Sequence, residues 1–256
     1  MEKLVTSYST TMVAISFLIS MVGAFIALNA ARNMLRADGS LHRMNTFTAS
    51  LALGGIGVWA MHFVGMLALR LPLGHGYSMV ETGLSLVAAA AATGAALVFV
   101  ARNPGSRVRL LVAGVLLGLA VCVMHYLGMQ GMRFGGYFLW SVPLVLASIA
   151  IAIVAATAAL WLAFNTRGVA GTTLAAMVMA VAVCAMHYTG MGAADFICTV
   201  DNRSAVPTGF GVISSWELPS MVIFSVACFA VVLAADQLFN ALSEAPRAAT
   251  KPATGN

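Results

Sequence analysis

Charge is scarce in this sequence. Only 8% of its 256 residues are Asp, Glu, Lys or Arg, against 61% hydrophobic, and mean hydropathy is +0.95. A water-soluble domain cannot cover its surface with so little polar material, and an intrinsically disordered chain needs the opposite composition. Cysteine is sparse too, and four scattered residues do not make the framework of a disulfide-stapled secreted module. The acidic residues do not fall in pairs and no nucleophile stands beside a recognisable base, so the chain is not expected to be an enzyme. A net charge of +5, from 13 Lys+Arg against 8 Asp+Glu, is spread over connectors rather than gathered in a patch, and implies no nucleic-acid partner. What is left is a polytopic membrane protein whose first partner is the lipid bilayer.

A hydrocarbon core of about 30 Å takes about 20 apolar residues of helix to cross, because lipid offers no partner to unpaired backbone groups. Seven stretches qualify: residues 8–31, 46–69, 77–101, 107–132, 140–164, 170–193 and 217–240. The predicted fold is all-α, with seven transmembrane helices in one membrane domain over residues 1–240, and residues 241–256 as a short disordered cytoplasmic tail. Alternating the connectors places Arg32, Arg36, Arg43, Arg102, Arg107, Arg109, Arg167, Arg247 and Lys251 on one side, and Lys3, Arg70, Arg133 and Arg203 on the other. Lys and Arg favour the cytoplasm, so the N-terminus is outside and the C-terminus inside. Ala27-Leu28-Asn29-Ala30 resembles a signal-peptide cleavage site, but cutting there would leave Arg32, Arg36 and Arg43 facing outward, and the intact form is preferred. The connector 195–216 could close over the outer mouth as a lid, with a solvated loop as the default. Glu81 and Asp236 are read as helix ends, and His42 and His75 as solvated.

One hexapeptide recurs three times: Met61-His62-Phe63-Val64-Gly65-Met66, Met124-His125-Tyr126-Leu127-Gly128-Met129 and Met186-His187-Tyr188-Thr189-Gly190-Met191. The histidines are 63 and 62 residues apart, the length of one helical hairpin. Three hairpin repeats plus a final helix therefore account for the chain, and each copy lies on an even-numbered helix at the same depth. Arg70, Arg133 and Asp195 each follow a histidine by eight residues, which sets the imidazoles about 12 Å inside the outer boundary. Residues four apart share a helix face, so His62 pairs with Met66, His125 with Met129 and His187 with Met191, while Met61, Met124 and Met186 lie on the flank. Gly65, Gly128 and Gly190 permit close helix contact.

Imidazole with thioether is a distinctive donor mixture. Thioether is soft and suits copper(I), imidazole accepts either copper state, and zinc has little use for methionine. Haem is the rival, since His and Met both serve as its axial ligands. Duplicated packing without any metal is the third reading. A shared mononuclear site requires convergence, because imidazoles more than about 8 Å apart cannot meet one ion through bonds of about 2 Å. Cys122 and Cys184, three residues before the second and third histidines, read as core thiols, Cys198 as the one outer cysteine, and Cys228 as filler.

The third copy reads Met186-His187-Tyr188-Thr189, and the triple motif at constant spacing resembles the MHYT family of bacterial integral-membrane sensor domains. In the first two copies Phe63 stands for tyrosine, and Val64 and Leu127 stand for threonine. The resemblance covers the chain apart from its tail. It implies a multi-pass sensor of the bacterial inner membrane, with copper held by His62, His125 and His187 together with Met66, Met129 and Met191, and with Met61, Met124 and Met186 as auxiliary ligands. It also implies detection of a diatomic gas (oxygen, carbon monoxide or nitric oxide) or of redox state. Family members commonly carry a cytoplasmic diguanylate cyclase, phosphodiesterase, kinase or transcription-factor domain. None follows here, so the expected output is a separate cytoplasmic signalling protein reading the basic loops around Arg36, Arg102 and Arg167. A copper-delivery protein and a metal-free structural protein are the alternatives.

Overall fold

The computed structural model describes residues 2–36 and 38–249, with side chains described as far as Ala235 except Leu233. Seven helices run α1 (Thr10–Arg32), α2 (Arg43–Ala68), α3 (Met79–Ala101), α4 (Arg107–Gln130), α5 (Val142–Asn165), α6 (Gly168–Gly192) and α7 (Leu218–Ala249). Among the described residues, α1 to α6 are long and apolar enough to cross a membrane, and α7 contributes the shorter apolar stretch Leu218–Val232. Their starts have local causes. The Ser106 hydroxyl accepts from the Arg109 N–H at the head of α4, a proline occupies the first turn of α5, and Gly168, at φ 71°, turns the chain directly from α5 into α6. His42, read as solvated, instead caps α2: its Nδ1 accepts from the Asn45 N–H at 3.3 Å. The expected tail, residues 241–256, lies outside the residues with described side chains.

Helices α1 to α6 close into a ring in chain order, α1 packing on both α2 and α6, while α7 leans from outside on α2. Small residues make the ring tight. A Cβ on Gly118 would lie 2.6 Å from the Ile153 Cα, and one on Gly54 would lie 2.6 Å from the Ala89 carbonyl oxygen, so the backbones of α4 and α5, and of α2 and α3, touch. Large apolar residues face out instead, with Leu84, Val87, Leu116, Val154 and Leu174 exposed, as a surface solvated by lipid allows. Between Leu51 and Ala60, α2 widens into π-helical turns before the first hexapeptide; such widening is common at functional sites.

The helical reading misses eight short strands, all at the end of the bundle where α2, α4 and α6 terminate. They are β1 (Glu2–Lys3), β2 (Ser7–Tyr8), β3 (Leu69–Arg70), β4 (His75–Ser78), β5 (Met132–Phe134), β6 (Gly136–Trp140), β7 (Ala194–Cys198) and β8 (Val212–Ser214). They pair antiparallel as β1-β7-β6, β2-β3 and β5-β4-β8. The 195–216 connector is thus anchored at both ends, by β7 and by β8, and Phe196 is buried in the same apolar cluster as Met66, Met129 and Met191. Strand pairing satisfies the backbone groups at the two ends of the connector, while residues 199–206 and 208–210 between them are exposed.

Candidate metal centre

The ring places α2, α4 and α6 alternately, and each turns its hexapeptide inward. His62, His125 and His187 meet at the centre with 1%, 0% and 1% of their surface exposed. The His62 Nδ1 lies 3.1 Å from the His187 Nδ1 and 3.2 Å from the His125 Nδ1. One donor atom from each ring falls within 4.8 Å of the others. The rings stand edge to face, with centroids 5.0, 5.0 and 5.2 Å apart. The convergence that the sequence demanded but could not display is present.

The glycines explain how three imidazoles fit. A Cβ on Gly128 would overlap the Nε2 edge of His62, one on Gly190 that of His125, and one on Gly65 that of His187. Each ring therefore occupies the space of a missing side chain on the next even helix, and the pattern closes in a cycle from α2 to α4 to α6 and back. Any residue larger than glycine would expel a ring.

Hydrogen bonding alone serves this arrangement poorly. An imidazole nitrogen carries either a proton or one lone pair, so the His62 Nδ1 cannot make a good hydrogen bond to both neighbours at once. The three Nε2 edges are buried against the glycine backbone of the next even helix, and the His62 Nε2 has no hydrogen-bond partner, an expensive state for a polar group in an apolar core. A cation facing three Nδ1 lone pairs would remove the conflict at Nδ1 and leave each ring's proton on Nε2. Bonds of about 2.0–2.1 Å at near-tetrahedral angles set nitrogens about 3.3–3.4 Å apart, close to the His62–His187 and His62–His125 separations, and the third pair has a donor atom from each ring within 4.8 Å, so the residues fit an ion.

A second layer of contacts repeats with the motif. The Tyr126 hydroxyl lies 2.6 Å from the Ser148 Oγ on α5, and the Tyr188 hydroxyl lies 2.9 Å from the Ser16 Oγ on α1. The first copy has Phe63 and no hydroxyl. There Trp59, one turn earlier, donates its indole N–H to the Ser85 Oγ on α3 at 3.1 Å. All three serines also donate to a carbonyl three residues back, on Val13, Thr82 and Val145. Sequence reasoning passed over Ser16, Ser85 and Ser148; their signal was a hydroxyl in the middle of an apolar span.

The six methionines of the hexapeptides are all buried. Met66, Met124, Met129 and Met191 share one apolar cluster with Trp59, Phe63 and Phe196, Met186 packs with Cys122 and Ala152, and Met61 is 1% exposed. All four cysteines are free: Cys122 and Cys198 are buried, Cys184 is half-buried and Cys228 is exposed. At the strand end, Glu81 accepts from Ser78 and pairs with Arg133, which ties α3 to β5. His75 is half-buried rather than solvated. Its Nδ1 sits 2.9 Å from the Leu73 carbonyl oxygen, and burial lowers its pKa below the usual 6.5.

A family described as the bacterial signalling protein N-terminal repeat matches residues 55–113 and 118–177. These segments hold the first two hexapeptides, and the third lies beyond them. The bifunctional diguanylate cyclase/cyclic di-GMP phosphodiesterase MucR of Pseudomonas aeruginosa is 35% identical over 236 residues, which is 90% of this chain and 34% of that protein. The cyclic di-GMP phosphodiesterase NbdA of the same organism is 34% identical over 195 residues, 73% of this chain and 24% of its own length. The signaling protein YkoW of Bacillus subtilis is 31% identical over 202 residues, 74% of this chain and 24% of its own. The chain spans about a third of the first relative's length and about a quarter of the other two. No solved structure matches it.

Proposed function

The chain belongs to the MHYT family of bacterial signalling proteins, and we propose that it is a membrane-embedded sensor that holds copper at the three-histidine centre and passes a change there to a cytoplasmic signalling partner. It is a multi-pass protein of the bacterial cytoplasmic membrane. The proposed architecture is three helical hairpins plus α7, with the strand end outside and the C-terminus in the cytoplasm. Its supports are the threefold recurrence of histidine-on-glycine and motif-on-serine contacts, and the Lys and Arg excess at the opposite end.

The observation that carries the reading is the approach of the His62 Nδ1 to those of His187 and His125, at 3.1 and 3.2 Å, with no carboxylate among the described buried residues. Copper suits a site of imidazoles with buried thioethers one helical turn away, and when bound it would supply a redox couple and affinity for oxygen, carbon monoxide or nitric oxide. Ligands to it would be His62, His125 and His187, with Met66, Met129 and Met191 completing the set and Met61, Met124 and Met186 as auxiliaries. Haem fits less well: two imidazoles across one iron stand about 4 Å apart with the macrocycle between them, and here the rings already touch. Full burial favours retention of the ion over delivery, since the donors present no face to an acceptor protein.

The chain's own part is to exclude water, to aim three lone pairs inward and to couple ring position to helix position. Because each ring is wedged against the backbone of the next even helix, a ring cannot turn without moving its neighbour. Packed interiors respond to such shifts by discrete rearrangement. The cytoplasmic ends of α2, α4 and α6 adjoin the loops bearing Arg36, Arg102 and Arg167, where a partner would read the shift. The names of the relatives point to cyclic di-GMP turnover as the output, carried out by that partner and not by these helices.

Metal content and visible spectrum of the detergent-purified protein test the reading, beside a His62→Ala, His125→Ala, His187→Ala variant. About one copper per chain, lost in a variant that still folds, is the expected result. A Soret band would transfer the site to haem. No metal in either protein after copper loading would reduce the motif to packing.

A further inference from the structure

Helix α7 rests on α2, and between it and α1 lies a groove of about 1070 Å³, at the upper limit of ordinary ligand cavities of about 300–1,000 Å³. Its wall is apolar along the helices, with Ile15 from α1, Met66 and Leu67 from α2, and Val226 and Ala230 from α7. Its polar groups collect at the strand end, where Arg70 and His75 line the mouth and Trp216, 86% exposed, stands at the rim. From Pro219 to Ala230 the groove follows α7 for about 16 Å, about half of a 30 Å hydrocarbon core. It has the depth of one leaflet.

Charge supplies the second observation. Lys3 pairs with Asp195, Arg133 with Glu81 and Arg203 with Glu2. Arg70, among the described residues, has no ion-pair partner. The one unpaired strand-end cation of the four thus lies at the head of an apolar trough opening between membrane helices. We propose that the groove binds an anionic phospholipid of the surrounding leaflet, its acyl chains between α1 and α7 and its phosphate on Arg70. Met66, one turn beyond His62, lies in the wall, so the lipid packs directly against the first hexapeptide.

Native mass spectrometry of the delipidated full chain tests this, with phosphatidylglycerol and phosphatidylcholine of identical acyl chains as probes. The expected result is a preference of about fivefold for phosphatidylglycerol, the effect of one basic residue on an anionic lipid, reduced to parity by Arg70→Gln. Ala227→Trp, which fills the exposed groove wall, should weaken both lipids. Equal binding of the two lipids by the parent, or an undiminished preference in R70Q, overturns the proposal. So does full competition by inorganic phosphate, which would mark a free-anion site, or a dimer that A227W dissociates, which would make a second copy the occupant. The triple histidine variant should keep its lipid preference, which separates this test from that of the metal.

Discussion

The His62 Nδ1 lies 3.1 Å from the His187 Nδ1 although 125 residues separate them. What holds them there is the absence of two side chains, since His187 rests on Gly65 and His62 rests on Gly128. The glycine of the hexapeptide is therefore as much a part of the centre as the histidine.

Gly128→Ala should expel the His62 ring while leaving the helices assembled. Overpacking of this kind costs about 1–3 kcal/mol, and copper occupancy should fall with it. Gly83→Ala is the control: a Cβ there meets nothing within 4 Å, and replacing a helical glycine stabilises by up to about 1 kcal/mol. Melting curves and metal stoichiometry of the two variants give the comparison. Full copper binding by Gly128→Ala would show that the ring has room to spare.

Tyr126→Phe and Tyr188→Phe each remove one hydroxyl from a pair whose serine keeps its own bond to the helix backbone, so each should cost about 0.5–1.5 kcal/mol and leave copper bound. Trp59→Phe should behave alike toward the indole bond but also lose packing, because Trp59 is fully buried against Phe63. Calorimetry with metal analysis separates the two effects. Loss of copper from either tyrosine variant would make that hydroxyl a ligand or a ligand's partner.

Six of the helices and the three histidines were legible because each is written locally, in a long apolar run or a repeated word. The strands were not. Glu2 pairs with Cys198 and Ser7 with Arg70, and segments of two to five residues carry no alternation that would announce such distant partners. The compensation of Phe63 by Trp59 was hidden for a related reason: the tryptophan lies in the π-helical stretch 51–60, where ordinary helical spacing fails as a guide to shared faces. His42 and His75 looked solvated only because a connector position says nothing about caps or strand pairing.

His75 gives the strand end a pH dependence. Its pKa is lowered in the folded protein, mainly by burial and against the pull of the Leu73 carbonyl. The unfolded chain therefore takes up protons first, and stability present above the ordinary value of 6.5 is lost as pH falls below it. In metal-free protein, the gap between melting temperatures at about pH 7.5 and 5.5 should narrow in His75→Gln. An unchanged gap would place the sensitivity elsewhere.

The methionines decide between a histidine site and a mixed one. Met66, Met129 and Met191 each lie four residues beyond a histidine and are no more than 1% exposed, positions in which leucine would pack almost as well, at under about 1.5 kcal/mol apiece. Replacing all three by leucine should therefore preserve the fold and isolate the role of sulfur. Thioether stabilises copper(I) and offers little to zinc, so copper(I) affinity should drop at least about tenfold, the scale on which supporting ligands act, while zinc affinity stays as it was. An equal loss for both ions would mean that the variant had disturbed the imidazoles. With neither ion affected, the three sulfurs would be packing, and the centre would rest on His62, His125 and His187 alone.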